Sequence, residues 1–187
     1  RGLGDVYKRQ RDNRVIFISY YSYNAEKYNE FDIHPYFVKA FKKRWYVVAY
    51  SPGTNDIRCY ALDRMEDVMI SDKVFKMPKD LEPADYFKDC FGIINNKDSE
   101  VRKVVLKVDA FQSNYIRNLP LHDSQKETKR TDEYSIFEYH LKPEFDFEQE
   151  IFSNMDTMEV LEPQWLREEV SERLRNLAKK YKIFPSS

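Results

Sequence analysis

The sequence predicts an α+β protein whose mostly β first half is followed by a domain of alternating strands and helices. Three observations indicate this class. Short runs rich in β-branched and aromatic residues, separated by turn signals, fill residues 15–70. After residue 100, strand-like runs alternate with amphipathic, helix-like runs. Finally, the 187 residues include only four glycines, which excludes folds that hold phosphate in glycine-rich loops.

Five short strands are predicted in the first half. They lie at residues 15–21, 31–41, 45–50, 57–62 and 65–70. Pro35 marks an edge, a bulge or a bend in the second strand, because proline cannot donate to a sheet. The segment 51–56 is a strong loop signal. Five strands with such short connections are typical of a small barrel rather than of a sheet built from βαβ units.

A change of character at residues 78–100 predicts a linker. Prolines and a polar run flank a short helix over residues 84–91, which is expected to end at Gly92. The elements predicted beyond it are a strand (101–108), a helix (111–119), a weak polar strand within 125–131, a strand (133–141), a helix (145–154) and a strand (158–161). This βαββαβ order is that of a ferredoxin-like sandwich.

The last helix, predicted to begin at Glu162-Pro163, has the most regular pattern. Apolar residues recur every three or four positions and form one stripe, at Leu166, Val170, Leu174, Leu177 and Tyr181. Glutamates precede the basic residues along the helix, which complements its dipole. We expect the stripe to be core or a dimer contact, so a homodimer through residues 101–183 is the predicted assembly.

These elements predict a barrel domain at residues 13–77, a linker at 78–100 and a second domain at 101–183. Residues 1–12 lack helix or strand periodicity and are expected to be a disordered tail or a non-native scar. No apolar run is long enough to span a bilayer and no signal peptide is visible, so we expect a cytoplasmic protein without membrane contact.

The sequence carries no pattern typical of catalysis or of metal binding. Cys59 and Cys90 lie in an apolar strand and a short helix, where cysteines are usually inert. His122 and Asp123 are adjacent in a polar loop, and His140 has no partner in view. Three His and two Cys fit no metal-ligand spacing. We therefore predict a protein that is not an enzyme and needs no cofactor.

The first half is more basic than the whole chain. Residues 11–64 hold nine Lys and Arg against six Asp and Glu, a net charge of +3, whereas the full chain carries −1. Aromatic rings are interleaved with these cations, at Tyr20, Tyr21, His34, Tyr36, Trp45, Tyr46, Tyr50 and Tyr60. Such a surface suits a nucleotide or a single strand, although tyrosine-rich strands also serve ordinary barrel packing. Trp45 is expected in the core.

Three segments carry a resemblance to a known family. They are His34-Pro35-Tyr36, Arg44-Trp45-Tyr46-Val47-Val48-Ala49-Tyr50 and Arg58-Cys59-Tyr60-Ala61-Leu62-Asp63-Arg64-Met65. In order and spacing they resemble the WYL domain over about residues 13–77, with Val47 and Met65 where Leu and Ile are usual. Residues 101–183 are similar in order and length to WCX, the extension that often follows this domain.

The resemblance implies an Sm/SH3-like barrel that senses a ligand in a bacterial transcription regulator. The family pocket, built from Ser, Tyr, His and two Arg, maps onto five positions here, and Tyr46 joins them as an interleaved aromatic. The predicted ligand-binding residues are Ser19, Tyr20, His34, Tyr46, Arg58 and Arg64.

The implied ligand is a nucleotide or single-stranded DNA or RNA, whose phosphates the two arginines would bind. The residues before Val15 are too few for the helix-turn-helix of such a regulator. We therefore expect the sensing and oligomerising portion of one. The alternative is a scaffold that senses nothing and only contacts other proteins.

Overall fold

The structure, a computed structural model, describes residues 13–183. The tail predicted at residues 1–12 lies outside the described residues. The chain divides into two compact units, the first ending at Asp85 and the second beginning at Tyr86. This division falls within the segment predicted as the linker. Each unit is built on one antiparallel sheet, so the protein is α+β with most of its strands in the first half.

The first unit contains five strands and one 3-10 turn. They are β1 (Arg14–Ser22), β2 (Lys27–Phe41), β3 (Arg44–Ser51), β4 (Asp56–Ala61), the 3-10 turn (Leu62–Arg64) and β5 (Met65–Val74). The strands pair in the order β4-β3-β2-β1-β5, and every pairing is antiparallel. All five strands lie where the sequence predicts them.

The sheet predicted to form a small barrel is not closed. Among the described residues no pairing joins β4 to β5, so these strands are the two edges of an open sheet. The physical reason lies in the 3-10 turn that separates them. It redirects the chain after Ala61, and β5 then pairs along β1, from Met65 opposite Tyr20 to Val74 opposite Arg14.

Two apolar clusters lie on opposite faces of this sheet, because successive side chains of a strand point to opposite sides. The aromatic cluster consists of Ile16, Ile18, Tyr20, Ile33, Val47, Ala49 and Tyr60. The second cluster is built around Val15, Tyr36 and Phe75. The irregularity predicted at Pro35 is confirmed as a register shift of β2 against β3 between Pro35 and Phe37.

The turn between β2 and β3 has an unusual backbone. Its two residues, Lys42 and Lys43, have φ values of 44° and 65°, and the flanking Phe41 and Arg44 pair with each other. Two-residue hairpins of this mirror type favour glycine and asparagine. For residues with a Cβ atom the left-handed conformation costs about 1 kcal/mol each. Lysine is therefore an unfavourable residue for the backbone conformation of both positions.

The second unit contains the remaining elements. After α1 (Pro83–Phe87), at the division of the units, come β6 (Arg102–Asp109), α2 (Ala110–Asn118), β7 (Lys126–Arg130), β8 (Tyr134–Leu141), α3 (Phe145–Ser153), β9 (Met158–Glu162) and α4 (Gln164–Lys180). The sheet order is β7-β8-β6-β9. The order of elements after residue 100 is the predicted βαββαβ followed by a helix. Within the described range no helix is long and apolar enough to cross a membrane.

Helix α1 is shorter than predicted and does not end at Gly92. The chain leaves the helix after Phe87 because the next residues bond to another segment. The backbone N–H of Lys142 donates to the carbonyl of Asp89 at 2.7 Å, and Cys90 forms a bridge with Lys142.

The core of the second unit lies between its sheet and the helices, and it includes Phe137, Tyr139, Phe147 and Ile151, all fully buried. The stripe of α4 divides in two. Leu166 and Val170 belong to this core, whereas Leu174, Leu177 and Tyr181 are 42%, 39% and 72% exposed. The second half of the helix therefore presents apolar side chains to solvent.

An ion pair joins α2 to β7 in this unit. Nη2 of Arg117 lies 2.7 Å from Oε1 of Glu127, and Nε lies 2.9 Å from Oε2, which is the bidentate geometry of a strong pair. Nη2 also donates to Oγ of Ser135 at 2.9 Å. The hydrogen bonds from Arg117 lower the pKa of Glu127 to about 2.

Candidate ligand-binding site

Arg64 is the best-positioned cation of the first unit. It ends the 3-10 turn, and its Nε donates to the carbonyl of Tyr21 at 2.9 Å, with Nη2 donating to the same oxygen. The guanidinium carbon lies 4.5 Å from the ring centre of Tyr20 and 4.2 Å from that of Tyr23. Both contacts are in cation–π range, so they hold the guanidinium plane in one orientation.

These contacts leave Arg64 able to bind more. A guanidinium carries five N–H groups. Within the part of the chain that the structure describes, the bonds to Tyr21 use two of them. Three N–H groups therefore remain for the oxygens of a ligand, and the side chain is only partly buried.

Tyr20 supports Arg64 rather than offering a free face. Its ring is 9% exposed and packs edge-on against Tyr60 at 5.2 Å between centres. Its hydroxyl accepts a hydrogen bond from the backbone N–H of Ala61 at 3.2 Å. Burial raises the pKa of Tyr20, so the hydroxyl stays protonated. The guanidinium of Arg64 therefore covers a face of the Tyr20 ring.

Arg58 lies on the same face of the sheet as the aromatic cluster. It is opposite Ala49 in register and two residues from Tyr60 on β4, and residues so placed point to one side. Unlike Ala49 and Tyr60, Arg58 is exposed. Burial raises the pKa of Tyr60, and a hydrogen bond with Ser51 and then the charge of Arg58 oppose that shift. Arg58 therefore lies at the open side of the cluster.

Ser19 and Tyr46 point away from this cluster. Ser19 neighbours Tyr20 on β1 and so faces the other side of the sheet, where it is 5% exposed. Tyr46 neighbours Val47 on β3 and faces away from the cluster for the same reason.

His34 also lies on the opposite face, because its neighbour Ile33 belongs to the aromatic cluster. Its ring stacks on Phe75 with 4.9 Å between centres and 8° between planes. Burial lowers the pKa of His34, and the charge of Asp32 partly opposes this. Of the six predicted residues, the structure therefore brings Tyr20 and Arg64 into contact and places Arg58 on their face, while Ser19, His34 and Tyr46 are elsewhere.

A basic surface that the sequence did not single out lies at the β2–β3 turn. An open cavity of about 630 Å³ is lined there by Lys42, Lys43, Arg44, Trp45, Tyr46, Leu62 and Asp63. Nε of Arg44 lies 3.1 Å from Oδ2 of Asp63, which is the main cause of the raised pKa of Arg44. The signal in the sequence is the run of three cations before a tryptophan, at a turn.

The expectation that Trp45 packs in the core is wrong. It is 41% exposed because it pairs with Ala40 close to the turn, beyond the last core pair of Val38 and Val47. Among the described residues there is no cluster of three or more His, Cys, Asp or Glu that could hold a metal ion.

Comparison with protein families gives two matches. The family model of the WYL domain matches residues 3–70, and that of the WCX domain matches residues 100–178. No curated protein matches the sequence.

Solved structures give two further likenesses. A CRISPR Cas-related protein is 13% identical with a TM-score of 0.58, and the match covers 95% of this chain and 50% of that one. Proteasome accessory factor B/C of Arthrobacter aurescens is 16% identical with a TM-score of 0.37, over 89% of this chain and 25% of that one. The chain thus spans at most half the length of these proteins, and the first likeness is one of fold.

Proposed function

This chain is a WYL-domain protein with a WCX domain after it, and from that premise we propose that it is the ligand-sensing portion of a bacterial transcriptional regulator. The ligand is a nucleotide or single-stranded nucleic acid. In such a regulator a helix-turn-helix contacts DNA. The proposal includes an Sm/SH3-like strand topology for the open sheet of the first unit and a ferredoxin-like fold for the second. It also includes a cytoplasmic location and a non-enzymatic role.

The observation that best supports this proposal is the fixed orientation of the Arg64 guanidinium. Its guanidinium is already fixed by Tyr20, Tyr21 and Tyr23, so binding an anion costs it little side-chain entropy. The remaining N–H groups match the oxygens of a phosphate, which arginine binds in bidentate fashion. Arg58 on the same face supplies a second charge, and the aromatic cluster lies beside both.

Sensing requires that the ligand favour one state of the assembly over another. We place the dimer contact in residues 101–183, on the exposed second half of α4. Ligand binding in the WYL domain would then change the balance between two dimer arrangements, and with it the affinity of the regulator for DNA.

Replacing Arg58 and Arg64 together with alanine tests the ligand site. We expect the affinity for fluorescein-labelled oligo(dT) to fall at least about a hundredfold, since each charge-assisted contact is worth tenfold or more. Fluorescence anisotropy across a salt series measures this, and parent binding should weaken as salt rises because counterions are released.

The matched control removes two exposed arginines of the second unit, Arg102 and Arg175, and should bind as the parent does. Circular dichroism checks that each variant is folded. Parent-like affinity of the folded Arg58/Arg64 variant would contradict the assignment.

One observation favours the second candidate, a scaffold that binds proteins. Three apolar side chains are exposed beside an open groove of about 500 Å³, those of Phe111 and Tyr115 on helix α2 and of Leu119 directly after it. If the parent protein shows no salt-dependent binding of oligo(dT) or of nucleotides, this surface becomes the better guide to function.

A further inference from the structure

The cations of the β2–β3 turn line a cavity whose lining does not include Arg58. The hairpin patch consists of Lys42, Lys43, Arg44 and Trp45, all of which are exposed. The lining of the cavity combines these three consecutive cations with the carboxylate of Asp63. The cations lie next to an aromatic ring, that of Trp45.

The backbone of the turn indicates that the lysines are present for a reason other than folding. Both adopt left-handed φ values that asparagine and glycine would adopt at lower cost. Residues held in such conformations cluster at functional sites, and an observed outlier is a valid starting point for a functional hypothesis.

Trp45 adds the second element of a recognition site. Its indole is 41% exposed, and it follows directly after the three cations. An exposed aromatic face beside a basic groove is the arrangement that binds unpaired bases, because every base can stack on it. The cavity of about 630 Å³ is within the range of small-molecule sites and can hold one nucleotide unit.

We propose that the hairpin patch binds a phosphate together with its attached unpaired base, the phosphate at the three cations and the base on Trp45. This inference rests on the proposed function, for which it supplies a second contact beyond Arg58 and Arg64. The carboxylate of Asp63 holds Arg44 until a phosphate takes its place. The ligand chemistry is common to a nucleic-acid strand and a free nucleotide.

A turn replacement separates the role of the lysines in binding from their role in folding. Lys42→Asn with Lys43→Gly installs the dipeptide that this hairpin type prefers, so we expect a higher melting temperature. We also expect weaker binding of oligo(dT). The slope of log affinity against log salt should fall by about 0.7, since the hairpin patch is proposed to hold one phosphate and each phosphate contact in a single strand contributes about that much.

The matched control is Lys76→Asn with Lys79→Asn, which removes the same charge from exposed positions of the same unit. Unchanged affinity and salt slope in the turn variant would overturn the inference. So would an equal loss in the control, because it would show that only net charge matters.

Tryptophan fluorescence tests the stacking contact. The chain has two tryptophans, so Trp165→Phe leaves Trp45 as the single reporter. We expect quenching when oligo(dT) binds and no quenching by inorganic phosphate. Quenching by thymidine monophosphate at similar concentrations would identify a free nucleotide as the source, and quenching by oligo(dT) alone would identify a strand.

The absence of quenching at saturating oligo(dT) would overturn the stacking contact. A second measurement is the affinity of Trp45→Ala for oligo(dT). We expect it to be roughly tenfold weaker than that of the parent, because the stacked base loses its partner.

The Arg58/Arg64 variant distinguishes the two proposals. If it loses binding while the turn variant binds like the parent, the inference about the hairpin patch fails and the proposed function stands. If the turn variant loses binding while the Arg58/Arg64 variant does not, the assigned ligand site fails and the hairpin patch stands alone. A parent protein that binds none of the probes would overturn both.

Discussion

At the scale of single residues, Arg58 and Arg64 are both predicted to bind the ligand, but their surroundings in the structure differ. Arg64 is bonded to Tyr21 and packed on two tyrosine rings, so it stabilises the junction between the 3-10 turn and β1. Arg58 is exposed on an edge strand. Arg64 therefore combines a folding role with any binding role, whereas Arg58 is available for binding alone.

Substituting each arginine with lysine separates these roles. Arg64→Lys should lower the free energy of unfolding by about 2 kcal/mol, because lysine cannot reproduce the paired donation to Tyr21. Arg58→Lys should change it by less than about 0.5 kcal/mol, as is usual for exposed sites. Urea denaturation followed by circular dichroism measures both. Equal losses would mean that Arg58 is also part of the packing.

At the scale of elements, the ion pair between α2 and β7 holds a short polar strand against a helix. Strand β7 is largely exposed and has little apolar surface of its own. The bidentate contact of Arg117 with Glu127, joined by Ser135, compensates for this. The ion pair between Arg117 and Glu127 thus helps to stabilise β7, for which the sequence gives only a weak strand signal.

This contact makes stability depend on pH. The folded pKa of Glu127 is about 2, below its ordinary value of 4.5. A lowered carboxyl pKa contributes stability that is complete above about pH 4.5 and is lost as the pH falls towards 2. Urea unfolding at a series of pH values should therefore show a steeper loss for the parent than for Glu127→Gln. Parallel curves for the two proteins would contradict the role given to Glu127.

At the scale of the whole molecule, the exposed apolar surfaces are the candidate contacts for the proposed dimer. The second half of α4 exposes Leu174 and Leu177, and Tyr181 directly after it is also exposed, whereas the first turns of the helix have entered the core. Deleting this helix would also remove the buried Leu166 and Val170. Point substitutions on its exposed side are therefore the cleaner test of assembly.

We expect Leu174→Glu with Leu177→Glu to halve the mass in solution, because two charges on each copy would be buried against each other in a dimer. Light scattering after size-exclusion chromatography measures the mass. The control places glutamates at Phe111 on α2 and at Leu119 directly after it, on another exposed apolar surface. If the control alone became monomeric, the dimer contact would lie on α2 instead.

Strand positions could be predicted because they depend on local patterns. The β-branched and aromatic runs around Ile16 and Val47 have nowhere to pack except a sheet, and the alternation after residue 100 indicates the βαββαβ order. The open sheet could not be predicted in this way. It depends on which strand β5 pairs with after the 3-10 turn, and that pairing is set by tertiary contacts.

The composition of the site could be predicted only in part for a related reason. A family pattern gives residue types and spacing, but the face on which His34 or Ser19 lies follows from strand parity and from the bulge near Pro35. The exposure of Trp45 could not be predicted from the alternation of its strand, which places it on the same side as the buried Val47. It is exposed because it lies close to the turn, beyond the last core pair. Burial of this kind is a property of the fold, not of the local sequence.

The open edge of the first sheet has a consequence for solubility. In the part of the chain that the structure describes, β5 has β1 as its one neighbour, and Met69, Ile70 and Val74 are more than half exposed along it. Such an edge can recruit a strand from another molecule and begin aggregation. Charged residues interrupt it at Glu66, Asp67, Asp72 and Lys73. These charges disfavour pairing of the edge with strands of other molecules.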